Sequence, residues 1–170
     1  MSEADDERAT IPELDEGDAT EANAATNTNR VHITRRDTMA FAAETPAGHR
    51  VLIDGPPSLG GPVGSDGQGE AMRPMELFLA SLASCMSVDV VMILQKQKQT
   101  ITGYDVHVEG RRADAVPAVY ESIHLRFELA GEIAENKLQR ACKLSVEKYC
   151  SVASMLLPSV KVTWEASLLG

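Results

Sequence analysis

The stretch at residues 74–98 constrains the fold of this chain more than any other part of its sequence. It starts with a proline, which suits the first turn of a helix, and it runs into the polar residues 95–99. Its apolar residues cover nearly the whole helical circumference (Leu77, Phe78, Leu82, Met86, Val88, Val90, Val91, Ile93 and Leu94). This pattern predicts a long, mostly buried helix that is enclosed by a sheet or by a partner subunit. Because a monomer of 170 residues rarely surrounds one helix completely, we expect an obligate homodimer.

Segments typical of strands lie on both sides of this helix. The predicted strands cover residues 30–41, 49–54, 104–109, 123–129 and 160–166, and a glycine-rich loop covers residues 55–70. Helical spacing returns at residues 132–148, and a short apolar segment follows at residues 152–157. The connection at residues 111–117 is short enough for antiparallel pairing of the strands that flank it. This order of elements predicts an α+β fold with helices packed on antiparallel sheet.

The negative charge of the chain is concentrated at its N-terminus. Residues 1–29 hold nine of the 25 acidic residues and one of the 16 basic residues, so the rest of the chain is nearly neutral. The tail is poor in large apolar side chains and cannot bury enough surface to offset the entropy of ordering it. We therefore expect an acidic disordered tail at residues 1–29 and one folded domain at residues 30–170.

Several functional classes are disfavoured by the sequence. The near-neutral body with few aromatic residues argues against nucleic-acid binding. The N-terminus has no pattern of a secretory signal, and polar residues interrupt the longest apolar run, so we expect a cytoplasmic protein with no membrane partner. No P-loop, nucleophile elbow, C-x-x-C pair or histidine cluster occurs, so we expect no cofactor and no metal.

Two of the three cysteines have neighbours that suit redox chemistry. Cys85 lies in the long helix, and Asp89, four residues further on, shares its face. Cys150 follows the second helical segment where another helix could begin, and a thiol at such a position feels the N-terminal dipole. Cys142 lies among apolar residues at helical spacing and is expected to fill the core. The pairing matters because a second thiol can trap a sulfenic acid before it oxidises further.

A carboxylate beside Cys85 would suppress the thiolate unless a cation lies between them. An arginine in that place would stabilise the thiolate, and Asp89 would orient the guanidinium. Arg36 and its neighbour Arg35, in the early strand region, are the candidates for this role. Arg73 is the local alternative.

Three sequence motifs resemble the family of osmotically inducible protein C and organic hydroperoxide resistance proteins, OsmC/Ohr, and particularly its YhfA-like branch. They are R-P-M-E-L-F-L-A-S-L-A-S-C followed by S-V-D-V-V-M-I-L-Q-K around Cys85, S-V-E-K-Y-C-S-V-A around Cys150, and G-H-R-V-L-I-D-G at residues 48–55. The resemblance implies an intertwined homodimer in which antiparallel sheets pack around the helix of Cys85, with a second helix leading to Cys150.

The resemblance also implies an activity. The chain would be a thiol peroxidase in oxidative-stress defence, in which Cys85 reduces organic hydroperoxides or hydrogen peroxide and Cys150 resolves the sulfenic acid. A dithiol reductant, such as a lipoyl group, would then restore both thiols. The alternative is a non-enzymatic homodimer of this fold that senses redox state or binds a small ligand.

The residue after the helix-start proline departs from the family pattern. Well-studied hydroperoxide reductases of the family have glutamate there, whereas this chain has Met75. Glu76 follows, but it lies nine residues before Cys85 and should point to the other side of the helix. We therefore hypothesise that Asp89 replaces the missing glutamate as the group that holds the arginine.

Overall fold

The computed structural model describes residues 28–64 and 69–169. Most of the predicted acidic tail, residues 1–27, lies outside the described residues. The chain divides into two compact units, residues 1–71 and residues 72–170. All three cysteines belong to the second unit.

The first unit holds a three-stranded antiparallel sheet in the order β1, β2, β3. Its strands are β1 (His32–Asp37), β2 (Ala40–Glu44) and β3 (Arg50–Asp54). The prediction of one strand over residues 30–41 is wrong, because the chain turns back at Thr38 and Met39. The Asp37 carboxylate accepts a hydrogen bond of 2.7 Å from the Thr38 N–H, a local bond that favours a turn over a continued strand.

The glycine-rich connection after β3 is the loop that the sequence predicts, with one short 3-10 turn at Pro57–Leu59. The Asp54 carboxylate, 4% exposed, accepts hydrogen bonds of 2.8 Å from the N–H groups of Glu70 and Ala71. These bonds join the end of the loop to the end of β3. The Asp54 side chain therefore holds the end of the loop, and residues 65–68 within the loop lie outside the described part of the chain.

The second unit contains the long helix and a sheet in the order β4, β5, β6. Its elements are α1 (Pro74–Lys96), β4 (Thr100–Arg112), β5 (Tyr120–Glu132), α2 (Glu135–Leu144), a π-helical turn (Ser145–Tyr149), α3 (Ser151–Leu156) and β6 (Lys161–Leu168). Strands β4 and β5 pair antiparallel, as expected. Strand β6 pairs with β5 in parallel instead, because α2 and α3 carry the chain back to the end of the sheet where β5 begins.

The core of the second unit lies between α1, the sheet and α2. Four residues of α1 at four-residue spacing are fully buried: Leu82, Met86, Val90 and Leu94. They share one hydrophobic cluster with the inward side chains of β5, which alternate along the strand as Ile123, Leu125, Phe127 and Leu129. Helix α1 and the inward side of β5 therefore pack against each other in one core.

The opposite face of α1 stays exposed in the single chain. Val88 is 67% exposed and Met92 is 39% exposed, although both are apolar. By length and composition α1 could also cross a membrane, but core helices share these properties, and its other face packs into the core described above. The sequence predicted burial around the whole circumference of α1. In the single chain, only one side of the helix is buried.

Candidate functional site

Helix α1 places two of the predicted site residues on one face. Cys85 is partly exposed, and Asp89 follows one turn later. The side chains at positions i and i+4 of a helix project in nearly the same direction, so the thiol and the carboxylate are neighbours.

Cys150 reaches the same place from the far end of the second helical segment. It is fully buried and forms the N-cap of α3, with its Sγ accepting a hydrogen bond of 3.3 Å from the Ala153 N–H. The Sγ atoms of Cys85 and Cys150 and a carboxylate oxygen of Asp89 all lie within 4.8 Å of one another. The structure thus brings together three of the four predicted site residues.

Ser145 is a fourth member of this cluster and was not among the predicted site residues. Its Oγ donates a hydrogen bond of 3.0 Å to Oδ2 of Asp89, and its side chain is fully buried. Ser145 opens the π-helical turn that leads to Cys150, and such turns occur often at functional sites. The sequence does contain a signal for this residue. A serine stands at a core position of the helix, and a buried hydroxyl needs a hydrogen-bond partner.

Cys150 stays protonated at neutral pH. Burial, followed by a hydrogen bond with the Cys85 side chain, raises the pKa of Cys150 from 9.0 to about 11. The Ala153 N–H at the helix start lowers this pKa, but its effect is smaller than that of burial. The helix start that the sequence predicted at Cys150 is present, and it does not make Cys150 a thiolate.

Cys142 occupies the core, as expected. It is fully buried in the hydrophobic cluster, and burial raises its pKa to about 12. It is not one of the three donors that lie within 4.8 Å of one another. A thiol in such surroundings is inert toward polar reagents.

These raised pKa values predict that the free energy of unfolding falls as the pH rises from about 9 to about 12. Cys150, Cys142 and Tyr104 keep their protons in the folded state up to about 11, 12 and 12, whereas the unfolded chain loses them nearer 9 to 10. The stabilisation is complete below the unfolded pKa and is lost as the pH rises through the folded pKa. Urea unfolding at several pH values and one protein concentration measures it.

The control for this prediction is Cys142→Ser, which removes one titrating group. The free energy of unfolding of this variant should fall less steeply with pH than that of the parent chain. The difference in slope should be about 1.4 kcal/mol per pH unit in the range where the Cys142 thiol would titrate. A free energy of unfolding that is constant between about pH 9 and 11 would contradict the assignment.

Asp89 has no cationic partner among the described residues of the second unit. The ion pairs of its described residues join other groups: His107 and Arg126 with Glu128, Arg111 with Glu121, His124 with Glu165, and Lys143 with Glu147. Arg73 precedes Cys85 by twelve residues, or about 18 Å along the helix axis, which is too far for a contact. The local alternative for the arginine is therefore wrong.

Position 75 and its neighbour contribute to the start of α1. The Met75 side chain packs against the core, and its carbonyl accepts a hydrogen bond of 2.9 Å from the Tyr120 hydroxyl. The Glu76 carboxylate accepts a bond of 2.9 Å from the Arg73 N–H and so caps the first turn. Glu76 thus has a structural partner of its own, in agreement with its expected poor fit to a catalytic role.

Arg36 lies in β1 of the first unit, at an irregularity of the strand pairing. Arg35 pairs with Phe41 and Asp37 with Ala40, so Arg36 is the extra residue of a bulge. Bulges re-aim side chains and occur often beside active sites. Arg35, Arg36, Asp37 and Thr38 line a surface recess of about 330 Å³. The role of Arg36 stays a prediction.

Comparison with known proteins assigns the fold and the family. The family model of OsmC-like proteins matches residues 67–165. Protein YhfA of Escherichia coli is 34% identical over 126 residues, which cover 74% of this chain and 87% of YhfA. A crystal structure of a hypothetical protein from Aquifex aeolicus superposes with a TM-score of 0.70 at 30% identity, covering 85% of this chain and all of that one.

A second similar structure shares the fold at lower identity. An organic hydroperoxide resistance protein OsmC from Legionella pneumophila gives a TM-score of 0.62 at 19% identity, over 84% of this chain and 98% of that one. The family resemblance that the cysteine motifs suggested is thereby confirmed, and the matches cover most of the chain. The α+β architecture is confirmed with it. The chain belongs to the OsmC family.

Proposed function

We propose that this chain is a cysteine-based thiol peroxidase that reduces organic hydroperoxides or hydrogen peroxide in oxidative-stress defence. The observation that supports it best is the approach of a partly exposed thiol and a buried one, Cys85 and Cys150, within 4.8 Å. Cys85 is accessible to a peroxide, whereas Cys150 is held beside it and shielded. The hydroperoxide resistance named for the Legionella relative agrees with this assignment.

The proposed reaction has two steps on the protein. The Cys85 thiolate attacks the O–O bond of the peroxide, so that an alcohol or water leaves with a proton and Cys85 becomes a sulfenic acid. The sulfur of Cys150 then attacks the sulfenic sulfur, forming a disulfide and releasing water. A dithiol reductant, such as a lipoyl group, reduces the disulfide and returns both thiols.

Arg36 and Asp89 would act on the first step. A guanidinium near Cys85 would stabilise the thiolate, and a carboxylate would hold the guanidinium in position. Asp89 is itself fixed by the Ser145 hydroxyl, so its free oxygen is available for such a contact.

The exposed face of α1 supports a homodimer. An apolar groove of about 400 Å³ runs along this face, lined by Ser87, Val88, Val91, Met92, Gln95 and Tyr104. Val88 and Met92 lie one and two turns beyond Cys85 on the same helix, so a second copy covering the groove would lie beside the thiol. The partner that we propose is therefore a copy of this chain, in the cytoplasm.

Mass spectrometry after treatment with one equivalent of peroxide tests the proposal. The reduced protein is oxidised, the remaining thiols are alkylated, and the peptides are separated. We expect a disulfide between Cys85 and Cys150 with Cys142 alkylated only after unfolding. Recovery of Cys85 as a sulfenic or sulfinic acid with Cys150 free would show that Cys150 is not the resolving thiol.

A second candidate function is a non-enzymatic homodimer that senses redox state or binds a small ligand. Two observations favour it: Met75 replaces the glutamate of the hydroperoxide reductases, and Asp89 has no cation within the described part of the second unit. Such a protein would form its disulfide only at a high concentration of peroxide, and the disulfide would be reduced slowly. The rate of disulfide formation at low peroxide separates the two functions.

Replacing Asp89 with asparagine should lower the rate of peroxide consumption about 10- to 100-fold. The variant removes the charge and keeps the shape, and hydrogen bonds to charged groups contribute about 1.5–3 kcal/mol. Initial rates over a range of peroxide concentrations measure it. The matched control is Glu76→Gln, on the same helix and expected to leave the rate unchanged. Equal rates for Asp89→Asn and the parent protein would refute the role of Asp89.

A further inference from the structure

We propose that the reduced chain binds a thiophilic divalent cation such as Zn²⁺ or Cd²⁺ between Cys85, Cys150 and Asp89. Three donor atoms, two sulfurs and a carboxylate oxygen, lie within 4.8 Å of one another. In a tetrahedral zinc site with Zn–S distances of about 2.3 Å, the ligand sulfurs lie about 3.8 Å apart. The two sulfurs therefore need to approach one another by no more than about 1 Å, which is within the range of small side-chain rotations.

The donor set determines the class of metal. Thiolates select soft or borderline cations over Mg²⁺ and Ca²⁺, which prefer oxygen ligands. Three protein ligands leave the fourth position of a tetrahedron for water or for an added ligand. Cys85 is partly exposed, so this fourth position has access to solvent.

A second set of contacts already orients the ligands. The Ser145 Oγ donates to Oδ2 of Asp89 at 3.0 Å, which leaves the other carboxylate oxygen free. The Ala153 N–H donates to the Cys150 Sγ at 3.3 Å. Hydrogen bonds of this kind fix the ligands of metal sites and raise metal affinity.

Electrostatics also favours a cation. No lysine or arginine in the described part of the second unit pairs with the Asp89 carboxylate. A divalent ion would deprotonate the thiols that it binds, and it would compensate most of the charge of the two thiolates and the carboxylate. The sequence predicted no metal, because its ligands come from distant segments rather than from a spacing motif.

Such a site would exist only in the reduced protein. A disulfide between Cys85 and Cys150 removes two of the three ligands, so oxidation would release the metal and bound metal would occupy both thiols. Metal binding itself needs no peroxide. Its test can therefore fail or succeed independently of the peroxidase proposal.

Titration of the reduced full-length chain with Cd²⁺ tests the site, with the ultraviolet charge-transfer absorbance of cadmium thiolates as the readout. We expect one equivalent to bind per chain and Zn²⁺ to displace it. Cys85→Ser and Cys150→Ser should each lose about half of the absorbance per bound ion, and Ser145→Ala should weaken binding about 10-fold. Cys142→Ala is the matched control and should bind like the parent chain.

Two results would overturn the proposal. One is the absence of thiolate absorbance in the folded parent protein, with circular dichroism confirming the fold. The other is unchanged Cd²⁺ affinity after oxidation to the disulfide or in the double variant Cys85→Ser/Cys150→Ser, which would place the ion elsewhere. If the peroxide-dependent disulfide forms but Cd²⁺ does not bind, this inference fails while the proposed peroxidase stands.

Discussion

Cys85→Ser should lose peroxide consumption by several orders of magnitude, because the serine hydroxyl is not ionised near neutral pH and cannot attack the O–O bond. The substitution exchanges one atom at a partly exposed position of α1, so the fold should be retained. Consumption of peroxide by the reduced protein, with a dithiol reductant present, measures the effect.

Cys150→Ser is the informative comparison, because the two thiols are proposed to act in sequence. This variant should form a sulfenic acid on Cys85 with the first equivalent of peroxide, oxidise it to a sulfinic acid with a second equivalent, and then stop. Cys142→Ser, which changes the thiol outside the cluster, should keep full turnover if it folds. Continued turnover by Cys85→Ser would transfer the reaction to another residue and end the proposed mechanism.

Leu125→Ala should lower the free energy of unfolding by about 3 to 5 kcal/mol. Leu125 is fully buried in the middle of β5, where the central strand of the second sheet meets the core face of α1. Truncation removes apolar contacts and leaves a cavity that the surrounding strands can fill only in part. Since domains are stable by only about 5–15 kcal/mol, this change is a large fraction of the total.

Urea unfolding at fixed protein concentration measures that loss, with Leu157→Ala as the matched control. Leu157 is 43% exposed at the end of α3, so the same truncation should cost about 1 kcal/mol or less. Equal effects of the two substitutions would mean that the core does not lie where β5 places it.

The long helix and the paired strands could be predicted because their patterns are continuous. Helix α1 begins at the predicted Pro74 and ends two residues before the predicted end, and the alternation along β4 and β5 marks both strands. Periodicity does not report strand direction, so the parallel pairing of β6 could not be predicted. The turn at Thr38 and Met39 was missed because it contains neither glycine nor proline.

The candidate site could be predicted only in part. The i, i+4 spacing placed Asp89 beside Cys85, whereas the proximity of Cys150 was implied by the family resemblance alone. Ser145 was missed because a π-helical turn has no simple sequence pattern, and the same turn aligns Ser145 with Asp89. The role of Arg36 stays a prediction from its place in the early strand region.

The π-helical turn should also accommodate the loss of one residue. The Cys150 N–H donates to the Ser145 carbonyl at 2.9 Å, so five residues complete the turn that four would complete in an α-helix. A homologue with one residue fewer between the serine and the cysteine should therefore close an ordinary α-turn between the same two residues. A single-residue gap at this point of an alignment would leave the thiol and the hydroxyl on the same side of the helix.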